Sequence, residues 1–301
     1  MKRLFTFGCS HTSHHYPTWA DILGLSYNQL YNFGESGTGH FHHMVQLNGV
    51  LSNFDLTEDD MVVVLLSEEQ RMDLVINATN NSGMIEEWVR GIKPIEEKGF
   101  QKGPDWFTKE FQTTLSVNHQ LLSTLVTIDN MKERLSNRKC KFKIMTALRP
   151  TLDGDEPSFV NRLFNTTLDG GYPNNTLDHI GIKNWYPNEI HKRLHPYKPL
   201  QWFSSGAHYK FKAYTGTGAN TVWDGHWLIT EHLEFVKDNF DFGDKYDSIV
   251  LDWHNRASTG KCVPKDEFVI PLLQHSRYRY NWTNNKIESE WPLDGGREKL
   301  I

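Results

Sequence analysis

Residues 61–66 read Met-Val-Val-Val-Leu-Leu, six apolar side chains in an unbroken run between Asp59-Asp60 and Ser67-Glu68-Glu69. Successive side chains of a strand point to opposite faces, so a strand with no polar position must be covered on both sides. That is the situation of a central strand in a parallel sheet, and it requires other strands as flanks and helices as covers. At six residues the run is far too short to span a bilayer.

The surrounding sequence supplies those partners. "RLFTFG" is a short β-prone run closed by Gly8, and "YPTWADILGL" follows it with Pro17 near a helix start and Trp19, Ile22 and Leu23 at helical spacing. "YNQLYNFGESGTG" reads as a second strand ending in a glycine-rich loop. "HFHHMVQLNGVLSNF" then reads as a helix offering Phe41, Met44, Val45, Leu47 and Leu51 to its buried side. Beyond the central strand, residues 108–135 carry Phe111, Leu115, Leu122, Leu125 and Met131 along one side of a long amphipathic helix. "CKFKIMTALRP" is a fourth strand, stopped by Pro150, and "DGHWLITEHLEFVKDNF" is a late helix with Leu228, His232, Leu233, Phe235, Val236 and Phe240 inward. Strands alternating with helices predict an α/β fold, a three-layer α/β/α sandwich with a central parallel sheet.

Two stretches break the rhythm. Residues 76–106 are polar with no sustained period, and residues 151–220 are rich in Pro, Gly, Asn and aromatics, with one short helix expected near Ser158–Phe164. Both are read as insertions into a single domain spanning 1–242. Residues 243–301 form a C-terminal extension expected to pack on that domain or on a partner.

A net charge of -5 and the absence of any basic run beyond "NRKCKFK" argue against a nucleic-acid binder, whose phosphate-tracking surface needs clustered Lys and Arg. Met1-Lys2-Arg3 leads into a strand with no secretory apolar region, so the expected location is cytoplasmic, with no membrane partner. Cys9, Cys140 and Cys262 are too few and too scattered for a disulfide framework or a zinc ribbon and are expected to be reduced.

The stretch "FTFGCSHT" ends the first strand in a tight turn holding one serine. In an open parallel sheet, ligands gather outside the carboxyl ends of the strands, where loops converge and helix N-termini point donors outward. Ser10 occupies such a place, and its own N–H could help hold an oxyanion. A serine needs a base to become a nucleophile, and the base needs an orienting carboxylate. "VWDGHWLITEH" supplies Asp224 and His226 on a loop before the late helix, with His232 as the alternative base.

"FTFGCSHT" after a first strand, "NFGESGTGH" after a second, a polar loop after the third and "DGHWLITEHLEF" before a late helix together resemble blocks I, II, III and V of the SGNH, or GDSL-type, hydrolases. The resemblance covers residues 3–72 and 222–240, with 141–149 matching as a strand only. It is nearest to divergent members from bacteriophage and bacterial genomes. It implies a flavodoxin-like SGNH fold, Ser10 as nucleophile, His226 as general base, Asp224 as the group orienting it, and Gly37 as an oxyanion donor beside the Ser10 N–H. No cofactor is implied. In block I, Cys9 stands where the family usually has Asp. In block III, "LLSEEQRMD" replaces the usual Gly and Asn, leaving Ser67, Gln70 or Arg71 as further donors. In block V the Asp and His are two apart, with Trp227 next, where three apart with Pro following is commoner.

The function expected from this set is hydrolysis of an ester, with an O-acetylated glycan as the preferred substrate class; a homo-oligomer and assembly into a viral particle, the latter tied to the alternative that follows, are the partnerships the reading leaves open. The alternative is a catalytically silent SGNH-like structural or glycan-binding module. His11, His14, His15, His40, His42 and His43 fall on two neighbouring loops in this reading, which also raises a metal-dependent hydrolase; no HExxH or CxxC spacing accompanies them, and pocket walls are the preferred role.

Overall fold

A computed structural model describes residues 1–14, 16–67, 72–80, 83–92, 117–146, 210–215, 218–223, 226–258, 278–281 and 284–289. The described elements begin with β1 (Arg3–Gly8), α1 (Trp19–Gly24), β2 (Gln29–Asn32), α2 (His40–Asn53), β3 (Met61–Leu66), β4 (Met72–Asn80) and β5 (Gly83–Ile92). They continue with α3 (Val117–Ser136), β6 (Lys141–Thr146), β7 (Lys210–Thr215), β8 (Gly218–Trp223), α4 (Ile229–Asn239), α5 (Asp247–Ser258), β9 (Tyr278–Asn281) and β10 (Lys286–Ser289).

The chain has an α/β fold built on a four-stranded parallel sheet of order β2-β1-β3-β6. Every residue of β3 is buried. Its alternate side chains enter two separate cores: Met61, Val63 and Leu65 pack with Trp19, Ile22, Phe235, Val250 and Trp253, while Val62, Val64 and Leu66 pack with Leu47, Val50, Ile128, Met131 and Leu135. Helices α1, α4 and α5 therefore cover one face and α2 and α3 the other. Each fully buried Val, Leu, Ile or Phe contributes about 1.5–3 kcal/mol relative to an exposed one, so this one strand anchors both layers.

The amino-terminal end of the sheet is closed by an ion pair. Arg3 Nε donates to Asp60 Oδ1 at 2.8 Å and its Nη2 to Asp60 Oδ2 at 2.6 Å and to the Asp55 carbonyl at 2.7 Å. The Asp60 carboxylate also accepts from the Thr57 N–H at 2.7 Å and from its hydroxyl at 3.1 Å. Burial raises the cost of that charge, but the guanidinium and the Thr57 donors together hold Asp60 below the usual aspartate range.

Three readings need correction. The first insertion, read at 76–106 without a sustained period, carries a regular element that starts ahead of its expected limit: residues 72–80 and 83–92 form an antiparallel hairpin, β4 to β5, with Asn80 opposite Gly83. Val, Ile and Thr on either side of Asn81-Ser82-Gly83 carry that signal, and the polar residues between them mask its period. In the second irregular stretch, β7 and β8 pair antiparallel with Thr215 opposite Gly218. The rest of it, with the helix expected at Ser158–Phe164, lies outside the described residues, as do Phe111, Leu115, Cys262 and the part of the first insertion beyond residue 92. Third, Phe41 is 51 % exposed, and the start of α2 turns His40, His42 and His43 inward in its place. Those three histidines belong to a helix, not to a loop.

Beyond residue 242, the chain packs on the domain at two places. Val250, Trp253 and Ala257 of α5 join the first core. On the other face, the ring of Tyr278 of β9 lies tilted against that of Tyr31 with centroids 4.7 Å apart, and the Tyr280 N–H donates to Gln46 Oε1 of α2 at 2.7 Å. Among the described residues no helix is long and apolar enough to cross a membrane.

Candidate active site

At the carboxyl end of the sheet the chain leaves β1 through a turn closed by Thr12 and Ser13 N–H groups donating to the Cys9 carbonyl at 2.9 and 3.2 Å. The turn is tight enough to require glycine before it. A Cβ on Gly8 would lie 2.0 Å from Thr12 Oγ1 and 2.7 Å from the Leu65 carbonyl oxygen. Cys9 points into the protein as a buried free thiol. The turn is secured from behind: the Thr12 carbonyl accepts from Thr18 Oγ1 at 2.7 Å and Asn32 Nδ2 at 2.9 Å. The Asp21 carboxylate accepts the Thr18 N–H at 2.8 Å, one arm of a capping box that fixes the start of α1.

This geometry presents Ser10, 6 % exposed, with its Oγ 2.7 Å from His226 Nε2 across a sequence separation of 216 residues. His226 stands just before α4, whose first turn is capped by the Leu228 N–H donating to Glu231 Oε2 at 2.6 Å. The Tyr16 hydroxyl donates to the neighbouring Trp227 carbonyl at 3.0 Å and ties the two loops together. The imidazole of His226 lies between two others, with ring centroids 4.9 Å from His11 and 4.3 Å from His14. Trp227 is buried against His11, His232 and Phe235. His232, the alternative base, is wholly buried against the Trp227 ring; the imidazole on the serine is that of His226.

The loop after β2 is laid along the first: the Phe33 N–H donates to the Thr6 carbonyl at 2.8 Å and the Glu35 N–H to the Gly8 carbonyl at 2.9 Å. Gly37 adopts φ +78°, a left-handed conformation that glycine takes without strain. Neither its N–H nor that of Ser10 donates a hydrogen bond among the described residues. Past it, α2 starts at Gly39 under a buried carboxylate. Asp73 accepts the Gly39 N–H with both oxygens at 2.8 and 2.9 Å and the His42 N–H at 2.9 Å. The acceptor satisfies donors that every helix start leaves open and complements the positive end of the helix.

Ser67 follows β3. Because Gly8 is in register with Leu65, Ser67 stands two residues past its strand partner just as Ser10 does. Its carbonyl accepts from His40 Nε2 at 2.9 Å, while its buried hydroxyl has no hydrogen-bond partner among the described residues. Such a group is uncommon in folded proteins and calls for an explanation. Of the sequence-derived residues, Ser10 and His226 are in direct contact and Gly37 and Ser67 sit on adjoining loops. Asp224, Arg71, Gln70 and His15 lie outside the described residues. Among the described residues no group of three or more His, Cys, Asp or Glu is placed to hold a metal ion.

Sequence reasoning passes over Asn32, Asp73 and Tyr16. Asn32 carries a local signal, an Asn two residues before a glycine. Asp73 and Tyr16 act through space and leave none. No protein-family model matches this chain, and no curated protein matches it significantly.

Proposed function

We propose that the protein is a serine esterase of SGNH type. The observation that carries the reading is the 2.7 Å contact between Ser10 Oγ and His226 Nε2 at the carboxyl edge of a parallel sheet. For Ser10 to donate, the proton of neutral His226 resides on Nδ1, the nitrogen that Asp224 is expected to hold by the family resemblance. The Ser10 oxygen attacks the ester carbonyl as its proton passes to Nε2. The negative oxygen that develops is met by the N–H groups of Ser10 and Gly37, and collapse expels the alcohol, which takes the proton from His226. Water, deprotonated by the same imidazole, then releases the acid. The flavodoxin-like SGNH topology belongs to this same proposal, supported by the strand order and by helices on both faces.

The Ser–His pair does not fix the acyl group. An O-acetyl ester on a glycan is the substrate class favoured by the aromatic residues of the 151–220 stretch, Trp185, Tyr186, Tyr197 and Trp202 among them. The test is twofold. A fluorophosphonate is expected to label the parent at Ser10, and p-nitrophenyl acetate hydrolysis is expected to disappear in Ser10→Ala. An unlabelled, well-folded parent would overturn the esterase and favour the silent module.

A further inference from the structure

Asn32 is the last residue of β2 and is 1 % exposed, and both ends of its side-chain amide are hydrogen-bonded. Its Nδ2 donates to the Thr12 carbonyl, in the loop that carries Ser10, at 2.9 Å. Its Oδ1 accepts the Gly34 N–H, in the loop that carries Gly37, at 2.9 Å. A carbonyl can only accept and an N–H can only donate, so the two partners dictate which end of the amide faces which loop. The loops are also in van der Waals contact at this point, since a Cβ on Gly34 would lie 2.9 Å from Ser13 Cβ and 2.9 Å from Thr12 Cβ.

We infer that Asn32 is a positioning residue that sets the separation between the nucleophile loop and the oxyanion loop. Its catalytic consequence rests on the esterase reading above. Ser10 is two residues before Thr12, and Gly37 is three residues after Gly34, so the amide bridges the two loops close to both groups that must meet the same carbonyl. No other side chain of this size offers a donor at one end and an acceptor at the other. Aspartate keeps the acceptor for Gly34 but turns a second oxygen toward the Thr12 carbonyl. Alanine leaves the Gly34 N–H without its acceptor and removes one of the two donors on the Thr12 carbonyl, the other being Thr18 Oγ1. Neither change touches the Ser10–His226 contact itself, so the nucleophile remains activated while the oxyanion donors drift. A displacement of about 1 Å in such a site can cost roughly 100-fold in rate.

The experiment uses the full chain with Asn32→Ala and Asn32→Asp, the first of which buries no new charge and is the fallback if the second does not fold. Steady-state kinetics on p-nitrophenyl acetate are expected to show kcat lower by about 10- to 100-fold with KM changed less than about threefold, because the interaction lost is made in the transition state. Affinity for a trifluoromethyl ketone, which needs the oxyanion donors, is expected to fall in step with kcat/KM. Hydrogen exchange of the peptide containing residues 33–38 is expected to accelerate at least tenfold. An active parent whose folded Asn32→Ala form keeps kcat within twofold and exchanges at the parental rate overturns the inference. A parent that neither hydrolyses the ester nor labels at Ser10, yet shows the accelerated exchange in Asn32→Ala, sinks the esterase reading and leaves the clamp standing.

Discussion

The two ends of β1 and β3 are finished in opposite ways. At the amino end, Arg3 and Asp60 bond one another and their neighbours: the guanidinium donates to Asp60 and to the Asp55 carbonyl, and the carboxylate accepts from Arg3 and Thr57. At the carboxyl end of the same strands, Ser10 bonds one imidazole and the Ser67 hydroxyl has no partner among the described residues. A chain that could close one end so completely is not short of polar partners. Leaving donors open at the other end costs stability, since a buried unpaired hydroxyl is worth about 1–3 kcal/mol against folding, and such strain tends to persist at sites of function. The contrast divides residues that hold the sheet together from residues proposed to face a substrate, and it can be broken by substitution at either end.

The largest expected effect is at the open end and falls on rate alone. His226→Gln removes the group proposed to take the Ser10 proton, and ester hydrolysis is expected to drop by about 10⁴-fold or more. The melting temperature should stay within a few degrees of the parent, because His226 is only partly buried. Activity retained within tenfold would remove His226 from its role. At the closed end the expectation reverses. Asp60→Asn leaves the Arg3 guanidinium facing a neutral amide, and denaturant unfolding is expected to lose about 3 kcal/mol with kcat per folded molecule unchanged. Because the Asp60 carboxyl is held below its unfolded value, the ion pair contributes fully above the ordinary aspartate range, and its contribution is lost as pH falls through the depressed folded value. The parent should therefore lose its advantage over Asp60→Asn on acidification. A constant gap between the two down to acid pH would contradict this assignment.

The open and closed ends were not equally legible in the sequence. The central strand and its two covering layers follow from apolar runs, and the meeting of Ser10 with a loop histidine from the rule that ligands collect at strand carboxyl ends together with the resemblance in the first and last sequence blocks. Arg3 and Asp60, one at the start of β1 and one just before β3, give no pattern, because their pairing depends on strand register, which local sequence does not encode. The hairpins β4–β5 and β7–β8 were lost because their strands mix polar residues into both faces, which flattens the period on which recognition depends. The histidines of α2 misled for a related reason. Apolar periodicity assigned the inner face to Phe41, while buried acceptors around the helix start, Asp73, Glu35 and the Ser67 carbonyl, draw imidazoles and backbone N–H groups inward.

Asp73 tests whether the boundary between the two regimes lies where the geometry draws it. It is a saturated buried group, like Asp60, but it fixes the start of the helix that follows Gly37. Asp73→Ala is expected to lower stability by about 2 kcal/mol, the upper range for losing a helix cap, and to lower kcat by a smaller factor than Asn32→Ala does. Asp73→Ser, which can still accept one N–H, should recover about half of the stability. If the alanine form kept the parental unfolding midpoint, the carboxylate would not be holding the helix, and the distinction drawn here would move to residues 33–38 alone.

The smallest expected effect is also the most discriminating. Replacing Ser67 by alanine deletes a hydroxyl that is buried, has no hydrogen-bond partner among the described residues and sits level with Ser10 at the end of the neighbouring strand. On the fold alone the deletion relieves an unsatisfied group, so the unfolding midpoint should hold or rise slightly. If that hydroxyl is kept open to donate to the charge that develops on the substrate oxygen, hydrolysis should slow by about tenfold, close to 1.4 kcal/mol of transition-state stabilisation, with KM little altered. Opposite signs on stability and rate are what distinguish a reserved donor from a packing accident. A Ser67→Ala protein that is both more stable and equally fast would show that the carboxyl end of β3 is merely unfinished, and would reduce the open end of the sheet to Ser10, His226 and the glycine loop.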